Sequence, residues 1–157
     1  MARGEGRAAA RLAAVQALYQ MEVAGSGLNE VFAEFEAHWI GQEVEGDHYK
    51  PAETAFFRNV VQGVQEHQAQ LDAVVDEALR RDWPLSRIEM VLRAILRAGA
   101  YELGHRGDVP GRVIISEYAD VAGAFFGREE VGMANGVLDR IAKALRPDEF
   151  TSVGVAG

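Results

Sequence analysis

The 157 residues contain no cysteine. A disulfide framework and a thiol nucleophile are therefore excluded, and any zinc site would have to be built from histidine and carboxylate alone. The absence fits a reducing compartment. No run approaches the roughly 20 apolar residues that a membrane span needs. Met1–Ala10 carries arginines but no apolar stretch after a charged start, so it does not read as a secretory signal. A soluble, cytoplasmic protein with no membrane partner is the expectation. Prolines number only four, and Pro51, Pro84, Pro110 and Pro147 all fall where segments open or close. No stretch alternates apolar and polar residues over a strand's length, and no fixed-period repeat occurs.

Catalytic signatures are missing as well. No Gly-rich phosphate loop is present: Gly123 and Gly127 make no Walker pattern, and no strand precedes them. There is no G-x-S-x-G elbow and no H-E-x-x-H. His38, His48, His67 and His105 are scattered. Glu102-x-x-His105 has the spacing of a di-iron bundle ligand pair, but such a site needs that pair twice and two more glutamates. The plainer reading is a surface helix end, with His105 and Arg106 near the last carbonyls. Glu129-Glu130 and Asp76-Glu77 read as solvated faces. No enzyme, metal or cofactor is expected.

What is present is helical. Hydrophobic residues make up 48% and charged residues 25% of the chain, ordinary for one globular domain. Arg7–Val23 places Leu12, Val15, Leu18 and Tyr19 at helical spacing among alanines, and Gly25-Ser26-Gly27 stops it. Leu28 to about Ile40 carries a stripe of Leu28, Val31, Phe32, Phe35 and Trp39. Gly41–Lys50 reads as a polar loop. Ala52 to about Arg80 is one helix, or two broken near Gly63 or His67. A helix opening at Pro84 carries Ile88, Val91, Leu92, Ile95, Leu96 and Leu103, the most apolar stripe in the chain. After a turn over Gly104–Gly111 come helices over Arg112–Phe125 and Val131–Leu145. The reading is an all-α single domain of six or seven helices over residues 7–147. Residues 1–6 form a flexible basic N-terminus and 148–157 a flexible tail.

The net charge is −8, which argues against tight independent binding of nucleic acid. The distribution is uneven: Arg3, Arg7 and Arg11 face only Glu5 in the first eleven residues. Spacing by four puts the three arginines on one helical face, at an N-terminus whose dipole also favours an anion. Arginine suits phosphate forks and base stacking, though such a run also serves as a plain solubilising end. Tyr19 lies two turns beyond Arg11 on the apolar stripe, with a hydroxyl that needs a partner if buried. Arg93 and Arg97 either cover the core with their stems or pair with acids such as Glu89. Asn135-Gly136, inside the last helical pattern, reads as a close helix crossing at Gly136, with Asn135 bonding across it.

Several strings taken together resemble the NusB family. They are Ala14-Val15-Gln16-Ala17-Leu18-Tyr19; Phe57-Arg58 with Gly63-Val64; Trp83 with Arg87-Ile88; Arg93-Ala94-Ile95-Leu96-Arg97; Tyr101-Glu102-Leu103; Asp108-Val109-Pro110; Ile115 to Ala122; Phe126-Gly127; Asn135-Gly136-Val137-Leu138-Asp139; and Arg146-Pro147. They run in order over nearly the whole chain. The resemblance implies an all-helical fold of two packed subdomains. It also implies joint binding of boxA-type leader RNA with NusE, a small-subunit ribosomal protein, in the antitermination complex of RNA polymerase, notably on ribosomal RNA operons. It puts Arg3, Arg7, Arg11, Arg128 and Met133 on the RNA surface and Tyr19 and Leu92 on the partner surface. Some members form homodimers, and a homodimer stays open.

This sequence departs from the pattern in four places. Ala8-Ala9-Ala10 thins the arginine cluster. Gly132-Met133-Ala134 stands where the family tends to have Lys, Phe and Val, which removes a cation and an aromatic able to stack on a base. Leu92 replaces an acid, and Tyr118 a small residue. Two rivals follow: a helical interaction module with weak or lost RNA binding, separated by salt-sensitive RNA binding, and the NusB-like domain of an RNA methyltransferase. The methyltransferase needs a Gly-rich cofactor loop and catalytic cysteines, and this chain has neither.

Overall fold

The computed structural model describes residues 2–42, 51–79 and 84–150, with side chains over 6–37, 53–79 and 84–150. Among these, every regular element is helical: α1 (Ala2–Ala24), α2 (Leu28–Gln42), α3 (Pro51–Ala78), a 3-10 turn (Leu85–Arg87), α4 (Met90–His105), α5 (Gly111–Phe125) and α6 (Arg128–Leu145). The all-α expectation holds. The chain falls into two compact units, one ending at Glu66 and the next beginning at His67. Most of the expected loop over 41–50, Trp83, the Trp39 side chain and residues 151–157 lie outside the described residues.

In the first unit, α1 begins at Ala2, five residues before the expected start. Apolar periodicity could not report a first turn whose only apolar residue is Ala2. Ala13, Ala14, Val15, Ala17 and Leu18 form its buried face. The helix stops at Gly25, whose φ of 72° and N–H to the Met21 carbonyl (3.0 Å) make a left-handed cap. Phe32 and Phe35 of α2 each bring a ring centroid to 5.8 Å from Phe57 of α3. Phe57, Val60 and Val61 are fully buried, each such side chain contributing about 1.5–3 kcal/mol. Arg58 forks onto the Glu36 carboxylate. Of the two expected break points in α3, the chain uses His67 (φ −115°, ψ 19°).

The second unit is built on α4, α5 and α6. Its core is Ile95, Leu96, Ile114, Tyr118, Leu138 and Ile141, all 2% exposed or less. A helix expected to open at Pro84 instead makes a 3-10 turn, and Ile88 is extended (φ −76°, ψ 138°). The reason is Glu89, whose carboxylate accepts from the Val91 and Leu92 N–H groups (2.9 and 3.3 Å) and caps α4. Glu89 is thus a cap, and Arg97 forks instead onto Asp72 of α3 (2.6 and 3.1 Å).

The expected close crossing at Gly136 is not observed: a Cβ there would meet only Arg140 Nη1, at 3.9 Å. The close approach is at Gly99 of α4, where a Cβ would stand 2.8 and 2.9 Å from the two methyls of Leu138 on α6. Asn135 is exposed.

Beyond α6, the Arg146 guanidinium donates to the carbonyls of Leu103 (2.9 Å), Val109 (2.6 Å), Glu102 (3.1 Å) and Arg106 (2.8 Å). It thereby satisfies the C-terminal carbonyls of α4 and the following turn, groups that a helix end leaves without intrahelical partners.

Candidate nucleic-acid interface

The arginine run on α1 meets one aromatic ring. Arg7 and Arg11 place their guanidinium carbons 4.6 and 4.9 Å from the centroid of Phe56 on α3. Each such contact is worth about 0.5–2 kcal/mol. The sequence puts this face toward solvent, whereas Arg11 is only 2% exposed. Arg7 is the half-buried member of the pair, so Arg7 presents the charge and Arg11 supports it from below. Arg3 lies one turn earlier on α1, and its side chain is outside the described residues.

Sequence reasoning missed two members of this group. The apolar stripe runs through Phe57 and does not include Phe56. Glu53, three residues before Phe56, is 9% exposed. Its carboxylate lies against the backbone of Gly6, where any Cβ would collide with it. No local signal marks either residue, because both lie more than 40 positions from Arg11.

Tyr19 is 38% exposed and Val23, one turn on, 53%. Together they leave an aromatic–aliphatic strip at solvent on α1. Leu92 is 2% exposed, spent in packing and presenting no surface.

In the second unit, Arg128 is exposed at the first position of α6, and the N-cap, Gly127, supplies no side-chain cap. Met133 is half-buried and lines a cleft of about 410 Å³ with Leu79, Glu129, Gly132 and Arg140. Phe125, which sequence reasoning did not single out, is 39% exposed at the end of α5.

The Glu102–His105 pair is not a surface pair. Glu102 is fully buried, and its carboxylate accepts from the Tyr118 hydroxyl. His105 is exposed and stacks on His67 and Tyr101, with centroids 4.4 and 5.0 Å away. Partial burial, reinforced by His67, lowers the His105 pKa below its ordinary value. Among the described residues no group of three or more His, Asp or Glu could hold a metal ion, and no helix is long and apolar enough to cross a membrane.

Comparison with known proteins gives a consistent result. A family model described as the NusB family matches residues 8–143. The chain is 67% identical over 144 residues to the transcription antitermination protein NusB of Bradyrhizobium diazoefficiens, covering 92% of this chain and 87% of that one. It is 67% identical to the NusB of Nitrobacter hamburgensis, covering 92% and 90%. Among solved structures, T. maritima NusB superposes with a TM-score of 0.77 at 28% identity, covering 92% of this chain and 96% of that one. Antitermination factor NusB, solved with NusE and double-stranded RNA, gives 0.72 at 25% identity, covering 92% and 99%.

Proposed function

Because the chain belongs to the NusB family, we infer that it is a transcription antitermination factor: a protein that binds RNA together with NusE and is not an enzyme. The observation that carries this reading is family membership across residues 8–143, joined to a structural neighbour solved with both NusE and RNA. The RNA is of boxA type, and the joint complex acts on RNA polymerase to carry it through terminators, notably in ribosomal RNA operons. The protein works in the cytoplasm.

The geometry supports a division of labour. The net charge of −8 opposes independent binding, because phosphate contacts need local cations. The Arg7–Phe56–Arg11 stack supplies a small fixed positive patch. Arg128 and Met133 provide a second contact at the start of α6. A basic partner adds the remaining phosphate contacts, and two weak surfaces joined on one RNA give an affinity neither has alone. Tyr19 is the anchor for that partner. The buried Leu92 bears on the partner surface only through the placement of α4's first turn.

The test is fluorescence anisotropy of a boxA-containing RNA, with and without NusE, at two salt concentrations, using wild type and an Arg7→Ala/Arg11→Ala variant. Binding that tightens with NusE, weakens with salt and drops in the variant is expected. Absence of RNA binding even with NusE present would refute the mechanism and leave a helical interaction module.

A further inference from the structure

We propose that Glu53 is a built-in competitor for the arginine platform: its carboxylate offsets part of the Arg7–Arg11 charge, holds RNA affinity down, and makes tight binding depend on the partner. The proposal rests on the reading of α1 as an RNA surface.

Glu53 is only 9% exposed. A carboxylate removed from water to that extent is costly unless cations compensate it. Arg7 and Arg11 both lie over Phe56, which shares a helical face with Glu53 at i, i+3. The carboxylate itself rests on Gly6, the residue that precedes Arg7. Gly6 makes this possible, since a side chain there would expel the carboxylate from the first turns of α1. Glu36 of α2 is forked onto Arg58, so it is engaged elsewhere. A phosphate approaching Arg7 therefore meets a guanidinium pair with a negative charge held beside it. The same arrangement disfavours nonspecific polyanions, because a surface with less net charge gains less from counterion release.

Glu53→Gln keeps the shape of the side chain and removes its charge. With NusE present, it is expected to bind boxA RNA about three- to tenfold more tightly at low salt, the effect of one unit charge within a helical turn of the binding cation. The slope of log affinity against log salt is expected to steepen by about 0.7, one further single-strand phosphate neutralised. A merely structural role would not move that slope. Adding Arg7→Ala to Glu53→Gln should abolish the gain. The thermal midpoint of Glu53→Gln, measured alongside, reports whether the fold is kept. Unchanged affinity and slope in a well-folded Glu53→Gln, with wild type binding normally, would overturn the proposal and leave the RNA reading intact. Weaker binding with an unchanged slope and a lowered midpoint would overturn it too, making Glu53 a structural support. Failure of wild type itself to bind RNA with NusE would overturn the RNA reading and this proposal with it.

Discussion

Replacing Arg146 by alanine should be among the most damaging single changes outside the apolar core. The guanidinium donates to four carbonyls, at the end of α4 and in the turn after it. Two of these keep another donor when it is removed: the Arg106 N–H still reaches the Glu102 carbonyl (2.9 Å), and the Val109 N–H still reaches that of Arg106 (3.0 Å). The carbonyls of Leu103 and Val109 lose their described partner. Arg146 has a side chain only 10% exposed, so water replaces it incompletely. At about 1–3 kcal/mol for each unsatisfied group, and allowing for partial hydration, the loss comes to roughly 2–4 kcal/mol. For a chain of this size that corresponds to a fall in thermal midpoint of roughly 5–15 °C, read by circular dichroism at 222 nm. Arg146→Lys keeps the charge but not the planar five-donor fork, and should recover less than half of the loss. A fall of less than about 2 °C for the alanine variant, or full recovery by lysine, would refute the claim that the fork, rather than the charge, secures this helix end.

Two further outcomes follow from exposed groups. Tyr19→Ala should leave the fold within about 0.5 kcal/mol of wild type, since a partly exposed residue contributes little. It should weaken NusE binding about five- to thirtyfold, as loss of an aromatic anchor does; titration calorimetry with unaltered affinity would move the partner surface elsewhere. His105 has a folded pKa below its ordinary value, first through desolvation and then through His67. The unfolded chain therefore binds the proton more readily, and stability falls as pH drops from about 6.5 toward the folded pKa. His105→Asn should flatten that part of the stability–pH curve, and an unchanged slope would place its origin in another group.

Helix existence was readable because apolar stripes repeat with the turn of a helix, and α2, α5 and α6 lie close to where the stripes put them. Misplacements came from polar groups that periodicity does not see. Glu89 caps α4 and moves its start past Pro84, while the apolar residues Leu85 and Ile88 just before it mimic a continuous stripe. Asn135-Gly136 points to Gly136 as the close-packed glycine, which is in fact Gly99. Gly99 sits inside Arg97-Ala98-Gly99-Ala100, where small residues read as ordinary helix. Of the candidate interface, the arginine spacing was legible, but its partner ring was not. Phe56 lies more than 40 positions from Arg11, and nothing local links them. Burial of Leu92 and Arg11 was illegible for the same reason, since each depends on what another segment brings against it.

Gly99 and Leu138 share one volume between two positions. Because the missing side chain on α4 is occupied by the leucine methyls of α6, neither residue can change size freely while the other stays. Gly99→Ala alone overfills the space, and Leu138→Ala alone empties it; made together, the added methyl fills part of the space the leucine leaves. The pair should therefore be strongly non-additive. Among sequences that keep this fold, a bulkier residue at 99 and a smaller one at 138 are expected to arrive as a couple.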